Sequence, residues 1–465
     1  MPALGPRLVV AGTHSGAGKT TVATGIMAAL SRAGMRVASA KVGPDFIDPG
    51  YHSLATGMPA RNLDAWICGS PAIAPLAARA GAQADLLVIE GVMGLFDGAG
   101  STHEASTAEI AVSLGAPIIL VVDAEAMSAS VAALLHGFHT LRADVSIAAV
   151  ILNRVGSSTH EELLREALHP MGIPVLGALK RDDSFVWRDR HLGLVPVAED
   201  PQKIRQSLDL LADAIAAQVD LAGLVALARS AQPATTGPLP ETKQIARTRI
   251  AVAGGPAFSF TYPDNLERLA EAGAELVPFD PAIDRALPDG INGLYAGGGF
   301  PEVYLESLAD NTPLLADVRQ RIQGGLVTWA ECGGLLWLCG DLDGKPMCGV
   351  VPGSGRMTSR LTLGYRNASV LADNPIAEAG DELRGHEFHY STIDRDSAKT
   401  DNDPGNFGAA LHLSGRLGGG FEGFVTPTLL ATYLHLHLGA DPTPAERFVA
   451  IAAGSVSTAA NGMST

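Results

Sequence analysis

Short apolar runs alternate with longer amphipathic segments through the first half of the chain. Five runs have the composition of strands buried on both faces: RLVVAG, RVASAKVG, DLLVIEG, APIILVVDA and IAAVILN. Between the first two, the segment TTVATGIMAALSRAG has the apolar period of a helix that ends at Gly34. Buried strands separated by helices predict a doubly wound α/β layer around a parallel sheet.

A second series of the same kind follows a break in the pattern. Residues 226–248 are rich in Pro, Thr and Ala and lose the apolar period, which indicates a linker. Buried strands then recur in RIAVAGG, AELVPFD, GLYAGGG and GLVTWAECGG. The last segment, 454–465, is small and polar, and we expect it to be disordered. The pattern therefore predicts two doubly wound three-layer α/β domains, residues 1–225 and 249–453.

Composition narrows the function classes. The chain has 465 residues, 47% apolar and 18% charged, which suits two domains of roughly 200 residues each. It contains no apolar run long enough for a membrane span, and its opening residues lead into a Gly-rich loop rather than a cleavage site. Four cysteines without a CxxC pair predict neither a disulfide framework nor a zinc site, and so a cytoplasmic location. A net charge of −16 argues against nucleic-acid binding and requires local cations for any anionic ligand.

The segment GTHSGAGKTT, residues 12–21, predicts a phosphate site. It joins a predicted strand to a predicted helix, as a P-loop requires, although its first glycine stands one position earlier than in the strict pattern. Backbone N–H groups would hold the phosphates of ATP, Lys19 would meet the β and γ oxygens, and Thr20 would reach Mg²⁺. The candidate ATP-binding residues are Gly12, Thr13, His14, Ser15, Gly16, Ala17, Gly18, Lys19, Thr20 and Thr21.

Acidic residues are predicted at the same edge of this sheet. Glu90 ends the run DLLVIE, at the strand end where open α/β sheets bind ligands, and is either a second Mg²⁺ ligand or a satisfied strand-end acid. Asp97 stands in a DG pair, which is also a common turn. The loop KVGPDFIDPGYH is interpreted as a substrate or metal platform rather than a solvated loop. The candidates for substrate binding are Lys41, Asp45, Asp48, Tyr51, His52 and Asp97, with Asp48 also a candidate metal ligand.

Cys332 stands between a predicted strand and a predicted helix in WAECGGLLWLCG. This is the context of a nucleophile elbow, and the helix dipole is expected to lower the thiol pKa. Cys339 and Cys348 lack this context and are interpreted as small buried hydrophobes. Upstream, the loop in YAGGGFPEVY can direct N–H groups at a developing oxyanion. The candidates for the oxyanion site and the adjoining substrate pocket are Gly297, Gly298, Gly299 and Gly333.

The segment TYLHLH, residues 432–437, carries two histidines two positions apart. In an extended segment they face the same way, so they are a base and its partner, two metal ligands, or a base beside a bystander. A metal site is weakly supported because no third ligand stands at a telling spacing. Two further histidines, His386 and His389 in GHEFHYS, either line the substrate pocket of this site or are structural.

These motifs resemble those of known families. The loop GTHSGAGKT is similar to that of dethiobiotin synthetase and its relatives, while KVGPDFIDPGYH and VIEGVMGLFDG resemble the cobyrinic acid a,c-diamide synthases of corrin biosynthesis. A thiol, a Gly-rich loop and a histidine resemble the class I glutamine amidotransferases, and GGGFPE, ECGG, MTSRLTLGYR, GHEFHYS and TYLHLH follow the order of their corrin-type branch. The resemblance covers about residues 7 to 450. It implies a P-loop ATPase domain followed by a flavodoxin-like glutamine amidotransferase domain.

The resemblance also implies chemistry. Cys332 is the expected nucleophile and His435 its base; in the general class I pattern a Glu two positions later orients the base, and here that position is His437. The implied substrate is cobyrinic or hydrogenobyrinic acid, amidated on its a and c acetate groups in cobalamin biosynthesis. Arginines in GRMTSRLTLGYR either offset charge near this polyanion or are solvated: Arg356, Arg360 and Arg366.

One reaction connects the two sites. A carboxylate is a poor electrophile, so ATP would convert it to an acyl phosphate, which ammonia released from glutamine would displace. Expected partners are the corrin, L-glutamine and ATP with Mg²⁺, without nucleic acid or membrane, and a homodimer is kept as one candidate assembly. Two alternatives stay open: a sister amidotransferase on another tetrapyrrole, such as a nickel-sirohydrochlorin or cobyric acid precursor, and a P-loop switch or partition ATPase indifferent to glutamine.

Overall fold

The computed structural model divides the chain into two compact units, residues 1–239 and 240–465. The described residues are 4–100, 102–182, 189–190, 193–194, 197–234, 236–394, 407–416 and 418–454. The predicted disordered tail lies, from residue 455 on, outside the described residues. No helix in these ranges is both long and apolar enough to cross a bilayer.

The first unit contains nine strands and nine α-helices within its described residues. The strands are β1 (Arg7–Gly12), β2 (Val37–Val42), β3 (Arg61–Leu63), β4 (Leu86–Glu90), β5 (Ile118–Asp123), β6 (Ile147–Val155), β7 (Val175–Lys180), β8 (Asp189–Arg190) and β9 (Gly193–Leu194). The helices are α1 (Lys19–Arg32), α2 (Asp48–Thr56), α3 (Ala65–Cys68), α4 (Ser70–Gly81), α5 (Thr107–Leu114), α6 (Ser130–Thr140), α7 (Ser158–Leu168), α8 (Pro201–Gln218) and α9 (Leu221–Arg229).

Seven of these strands form one parallel sheet in the order β3-β2-β4-β1-β5-β6-β7. Apolar clusters cover both faces of the sheet, which gives three layers. The strand order reverses at β1, between β4 and β5, and open α/β sheets bind ligands at such a switch point. The five predicted strands are present, whereas β3 and β7 were not predicted because their short sequences lack a continuous apolar run.

A glycine follows the C-terminal end of α1, as the sequence predicts. The helix ends at Arg32, and Gly34 follows with φ +89°, where its N–H donates to the Ser31 carbonyl at 3.0 Å. Helix α9 reaches Arg229, so the first residues interpreted as a linker are helical.

The second unit begins with β10 and contains two sheets. Its strands are β10 (Thr248–Ala253), β11 (Ala274–Phe279), β12 (Gly293–Ala296), β13 (Val327–Glu331), β14 (Asp341–Leu342), β15 (Lys345–Pro346), β16 (Ser354–Val370), β17 (Glu382–Asp394), β18 (Leu411–Ser414), β19 (Gly420–Glu422), β20 (Phe424–Thr426), β21 (Leu429–Thr432) and β22 (His435–Leu436). Its α-helices are α10 (Pro263–Glu271), α11 (Leu305–Asp310), α12 (Thr312–Gln323), α13 (Gly333–Leu338) and α14 (Thr443–Ala452).

The larger core of this unit has the predicted flavodoxin-like order. Strands β11-β10-β12-β13-β21 are parallel, which is the order 2-1-3-4-5, and β20 closes the edge antiparallel. The second sheet, β15-β14-β16-β17-β22, was not predicted. Its long antiparallel pair β16–β17 carries the segments MTSRLTLGYR and GHEFHYS, and its last strand places His435 opposite His386.

Close packing of α1 against α8 supplies a test of the first unit. A Cβ at Gly25 would lie 2.7 Å from Ile215 Cγ1 and 2.9 Å from Leu211 Cγ, so the two helices would have to separate. We expect Gly25→Ala to lower the free energy of unfolding, measured in urea, by about 1–3 kcal/mol. Gly137, inside α6, has open space around it, and Gly137→Ala should raise the stability by about 0.5–1 kcal/mol. Equal effects of the two substitutions would contradict this packing.

Candidate functional site

The predicted phosphate loop connects β1 to α1 at the switch point of the first sheet. Gly18 has φ +89°, and a Cβ there would lie 2.0 Å from Nδ2 of Asn153. That Nδ2 donates to the Ala17 carbonyl at 3.0 Å, so Asn153 on β6 fixes the loop from a neighbouring strand. Asn153 was not predicted, because a single Asn near the end of an apolar run carries no pattern. Burial, followed by the charge of Lys41, lowers the pKa of Lys19.

Other residues of the phosphate loop lie close to Lys19 or to one another. Gly16 also has a positive φ, +86°, and a Cβ at Gly12 would contact the Lys19 side chain at 3.3 Å. The exposed His14 lies with its Nδ1 2.9 Å from Oγ1 of Thr13. The structure therefore brings the ten predicted residues, 12–21, together as one continuous turn and helix start.

Two acids and a lysine, from the ends of β2 and β4 and the start of α2, meet beside the loop. Thr20 donates from Oγ1 to Glu90 Oε1 at 2.6 Å and lies 3.3 Å from Asp48 Oδ2. Lys41 donates from Nζ to Asp48 Oδ2 at 2.6 Å, to Glu90 Oε1 at 2.8 Å and to the Gly91 carbonyl at 3.1 Å. These contacts join positions up to 70 residues apart, and they bring the predicted metal and substrate residues to one edge.

The ionisable groups of this cluster have pKa values shifted in different directions. Burial raises the pKa of Asp48 to about 7, with repulsion from Asp45 adding and Lys41 opposing. Burial acts in the same direction on Glu90, but the attraction of Lys41 and of His52 outweighs it and holds the pKa of Glu90 low. Burial alone would lower the pKa of Lys41, yet the surrounding carboxylates raise it. Glu90 and Lys41 are therefore a buried ion pair, while Asp48 titrates near neutrality.

The oxygen atoms of this cluster fit Mg²⁺. Magnesium prefers oxygen ligands and usually keeps waters and phosphate oxygens in its shell. A hydroxyl and two carboxylate oxygens converge here, from Thr20, Asp48 and Glu90. Within the described residues no group of three or more His, Cys, Asp or Glu side chains forms a metal cluster, so these three residues would share the ion with phosphate or water.

Other predicted substrate residues have supporting contacts. Asp45 accepts from the N–H of Ile47 at 2.8 Å and of Asp48 at 3.1 Å, at the start of α2. His52 is fully buried with its Nε2 2.7 Å from Glu90 Oε2, and Tyr51 is buried beside it in the chain. Asp97 accepts the N–H of Gly94 at 2.8 Å and so fixes its own turn. The structure places Tyr51 and His52 beneath the site rather than on its surface, because the helix α2 turns them inward.

The second candidate site forms where β13 ends and α13 begins. Cys332 has φ +47°, a conformation that L-residues rarely adopt, so the turn carries the strain of a nucleophile elbow. Its N–H donates to the Thr432 carbonyl at 2.8 Å, and its Sγ lies 3.7 Å from the Phe388 carbonyl oxygen. The nucleophile candidate is thus held between β21 and β17. Cys339 and Cys348 are buried in the same apolar cluster, as predicted for small hydrophobes.

The expected lowering of the thiol pKa is wrong for this structure. Burial raises the pKa of Cys332 well above its usual range, and the charges of Glu302, Glu331 and Glu387 add to the effect. The N–H of Gly333 opposes them, but the six-residue helix behind it does not outweigh burial among acids. The resting thiol is therefore protonated, and its attack requires a base.

The Gly-rich loop leaves room for that base. A Cβ at Gly298 would lie 2.4 Å from His435 Cε1, and a Cβ at Gly333 would lie 2.9 Å from the Gly299 nitrogen. A Cβ at Gly297 would lie 2.4 Å from Thr261 Oγ1. The N–H of Gly298 donates to the Phe260 carbonyl at 3.0 Å, which corrects its predicted role as an oxyanion donor. Because Gly298 has no side chain, the His435 ring can lie against the backbone of this loop.

The two histidines of TYLHLH have different environments. His435 is fully buried, and its ring stacks 5.0 Å from that of His386. Burial, followed by the charge of His389, lowers the pKa of His435 to about 3, so the imidazole is neutral. His437 accepts the N–H of Gly439 at Nδ1, 3.2 Å away, and its Nε2 lies 3.8 Å from Asp264 Oδ2. His435 as the base stays a prediction, and it is the histidine of the pair that lies against the Gly-rich loop.

Nearby charged residues pair with one another. His389 stacks on Tyr433 at 3.8 Å and bonds to the Ser391 carbonyl, which favours a structural role. Arg366 is buried and donates to Glu387 Oε2 at 2.5 Å, so it is part of the core and not a solvated or substrate-facing cation. Two of the three predicted arginines are exposed, Arg356 and Arg360.

Comparison with known proteins now adds to this geometry. Residues 8–194 match a CobQ/CobB/MinD/ParA nucleotide binding domain, and residues 249–443 match a CobB/CobQ-like glutamine amidotransferase domain. A hydrogenobyrinate a,c-diamide synthase of Streptomyces coelicolor is 45% identical over 96% of this chain and 97% of its own length. This chain belongs to the a,c-diamide synthase family. A family member named hydrogenobyrinate a,c-diamide synthase from Thermobifida fusca is 46% identical over 96% of both chains. One named cobyrinate a,c-diamide synthase from Synechococcus is 40% identical over 95% of this chain and 97% of its own length.

Membership of the a,c-diamide synthase family confirms the resemblance that the motifs suggested. It also confirms the fold class, since the two matched domains coincide with two parallel-sheet α/β units. The family match spans both candidate sites of the chain, the phosphate loop and the Cys332 elbow.

Gly298 provides a test of the Cys–His site. We expect Gly298→Ala to displace the His435 ring, because the new methyl group would overlap Cε1, and to lower glutamine-dependent activity by about 100-fold. Activity with ammonium in place of glutamine should persist. A control is Gly420→Ala, at a strand position with open space, which should keep both activities. Full glutamine use by Gly298→Ala would place the base elsewhere.

Proposed function

We propose that this chain catalyses ATP-dependent, glutamine-hydrolysing amidation of the a and c acetate carboxylates of hydrogenobyrinic or cobyrinic acid in cobalamin biosynthesis. The observation that carries the proposal is that one chain holds a phosphate loop with an acid–lysine cluster and, in its second unit, a strained turn at Cys332 whose neighbouring Gly-rich loop borders the buried His435. The names of the relatives support the substrate, since they are diamide synthases of these two acids. The enzyme is accordingly a ligase that forms carbon–nitrogen bonds.

In the first half-reaction the substrate carboxylate attacks the γ-phosphorus of ATP, which yields an acyl phosphate and ADP. Backbone N–H groups of residues 12–18 hold the phosphates, and Lys19 offsets the negative charge that develops on the γ-phosphoryl oxygens. A Mg²⁺ ion held by Thr20, Asp48 and Glu90 would supply further charge neutralisation. Lys41 donates to both acids, Asp48 and Glu90, and so holds them in place.

In the second half-reaction the Cys332 sulfur attacks the glutamine amide carbon. His435 takes the thiol proton and returns it to the departing nitrogen, so ammonia leaves and a thioester remains. Water then hydrolyses the thioester and releases glutamate. The ammonia attacks the acyl phosphate carbon and displaces phosphate, which completes the amide.

Hydrogenobyrinic acid is the first substrate to test. The compared relatives named for it are 44–46% identical to this chain, whereas those named for cobyrinic acid are 39–40% identical. A sister amidotransferase on another tetrapyrrole stays second, because none of these relatives carries such a name. A switch or partition ATPase leaves residues 249–443 without a role. Use of Mg²⁺, a homodimer and a cytoplasmic location remain predictions.

The Cys332 assignment predicts a separation of nitrogen sources. We expect Cys332→Ala to lose amidation with glutamine and to retain amidation with ammonium, because only the thiol forms the thioester. Product diamide is measured with each source at equal ATP. The matched control is Cys339→Ala, which removes a buried thiol at the far end of α13. Undiminished glutamine use by Cys332→Ala would refute the assignment.

The Lys19 assignment predicts a loss of amidation that does not depend on the nitrogen source. We expect Lys19→Ala to lose amidation with both nitrogen sources by about 1,000-fold, since Lys19 acts on the phosphoryl group that both reactions need. Glutamine hydrolysis by itself, measured as glutamate release, should persist because the thiol site is intact. Amidation at the wild-type rate with either source would show that ATP is not activated at this loop.

A further inference from the structure

A buried carboxyl group lies beside the base of the second site. Glu331 is the last residue of β13, directly before Cys332, and its Oε2 is 3.9 Å from Nδ1 of His435. Both side chains are almost fully buried, 2% and 0% exposed. Water therefore does not screen the interaction between them. This carboxyl group faces Nδ1, the ring nitrogen that the acid engages in a Ser-His-Asp triad.

Glu331 is fixed by donors from both neighbouring elements. Its Oε2 accepts the Tyr295 hydroxyl at 3.0 Å, from β12. Its Oε1 accepts the N–H of Leu436 at 3.1 Å, and Leu436 directly follows His435 in β22. The same carboxyl group is thus tied to the backbone of the strand that carries the base. A side chain held in this way can fix the direction of an adjacent ring.

The other nearby acids are engaged elsewhere. Glu387 is held by Arg366 at 2.5 Å, and His389 lies 3.4 Å from its second oxygen. Asp264 faces His437. Of the acids described around this site, Glu331 is the one whose oxygen faces Nδ1 of His435.

We propose that Glu331 is the positioning residue of the glutamine-hydrolysing site, and that it takes the role that His437 does not fill. Its oxygen accepts the Nδ1–H of His435, which leaves Nε2 as the acceptor for the Cys332 proton. When that proton arrives, the imidazolium faces a carboxyl group instead of an apolar wall. The two atoms are 3.9 Å apart, and catalytic contacts of this kind often tighten in the Michaelis complex.

The position of Glu331 in the sequence is consistent with this role. Glu331 pairs with Thr432 in the parallel register of β13 and β21, three residues before His435. The strand that delivers the nucleophile therefore also delivers the acid to the base. In the usual arrangement the acid follows the base on the same segment, and here it precedes the nucleophile.

The test is Glu331→Gln in the full chain. The amide keeps the size of the side chain and the acceptor for Leu436, but it cannot ionise, and it turns an N–H group towards His435 or Tyr295. This inference rests on the proposed glutamine hydrolysis. We expect kcat for glutamate release to fall by about 100-fold or more, KM for glutamine to stay within about threefold, and ammonium-driven amidation to be unchanged.

The matched control is Glu422→Gln. Glu422 is a second buried acid of this unit, and it accepts from the Thr432 hydroxyl and from the N–H of Tyr433 at 2.8 Å, next to the same segment. Its replacement should leave kcat for glutamate release within about threefold. Equal losses in the two variants would mean that any buried acid supports this segment, and the proposal would fall.

The outcomes separate this proposal from the proposed function. If Cys332→Ala loses glutamine use but Glu331→Gln keeps wild-type kcat, the positioning role is wrong and the reaction stands. If Cys332→Ala keeps glutamine use, the reaction assignment itself fails. Should Glu331→Gln not fold, Tyr295→Phe keeps the acid and removes one of its donors. We then expect kcat to fall by about threefold to tenfold at unchanged KM, and an unchanged kcat would overturn the proposal.

Discussion

A carboxyl group buried at the end of a central parallel strand needs charged or hydrogen-bonding partners. Each unit contains one such group, and the partners of that group determine the character of the site beside it. Moving an ion out of water costs several kcal/mol, which only partners within a few ångströms offset. Glu90 ends β4 and meets an ammonium, Lys41, and an imidazole, His52. Glu331 ends β13 and meets neutral donors, a phenol and a backbone N–H.

The two environments push these acids in opposite directions. The cation beside Glu90 keeps its pKa low, so the carboxylate is permanently charged and suited to hold Thr20 and a metal ion. Burial raises the pKa of Glu331 to about 8 because its neutral hydrogen bonds oppose burial less strongly. In the proposed reaction charge appears beside this group when His435 accepts a proton, and a carboxyl group with a raised pKa can respond to that charge. The same strand-end position thus holds a carboxylate of low pKa, Glu90, in one unit and a carboxyl group of raised pKa, Glu331, in the other.

The sequence predicted what continuous apolar runs and local motifs encode. Buried strands, the phosphate loop and the elbow at Cys332 were accessible because each is specified by adjacent residues. The second sheet of the amidotransferase unit was missed because β16 and β17 are half-exposed and gain their order from pairing with one another. Asn153 was missed because its contact with the loop spans 136 residues. The direction of the Cys332 pKa was missed because helix direction is local, whereas burial among three acids is a property of the assembled unit.

The two histidines of TYLHLH show why residue spacing alone does not assign a catalytic group. An extended segment would turn both rings to one side, yet β22 ends at Leu436, and Asn265 on α10 bonds the backbone on both sides of His437. The His437 ring then lies between Tyr262 and Asp264, while His435 stays in register with β17. Once His437 is held by α10, an orienting acid has to come from another element. The strand end before the nucleophile is the element already fixed against the base, because its carboxyl group bonds the same backbone that positions His435.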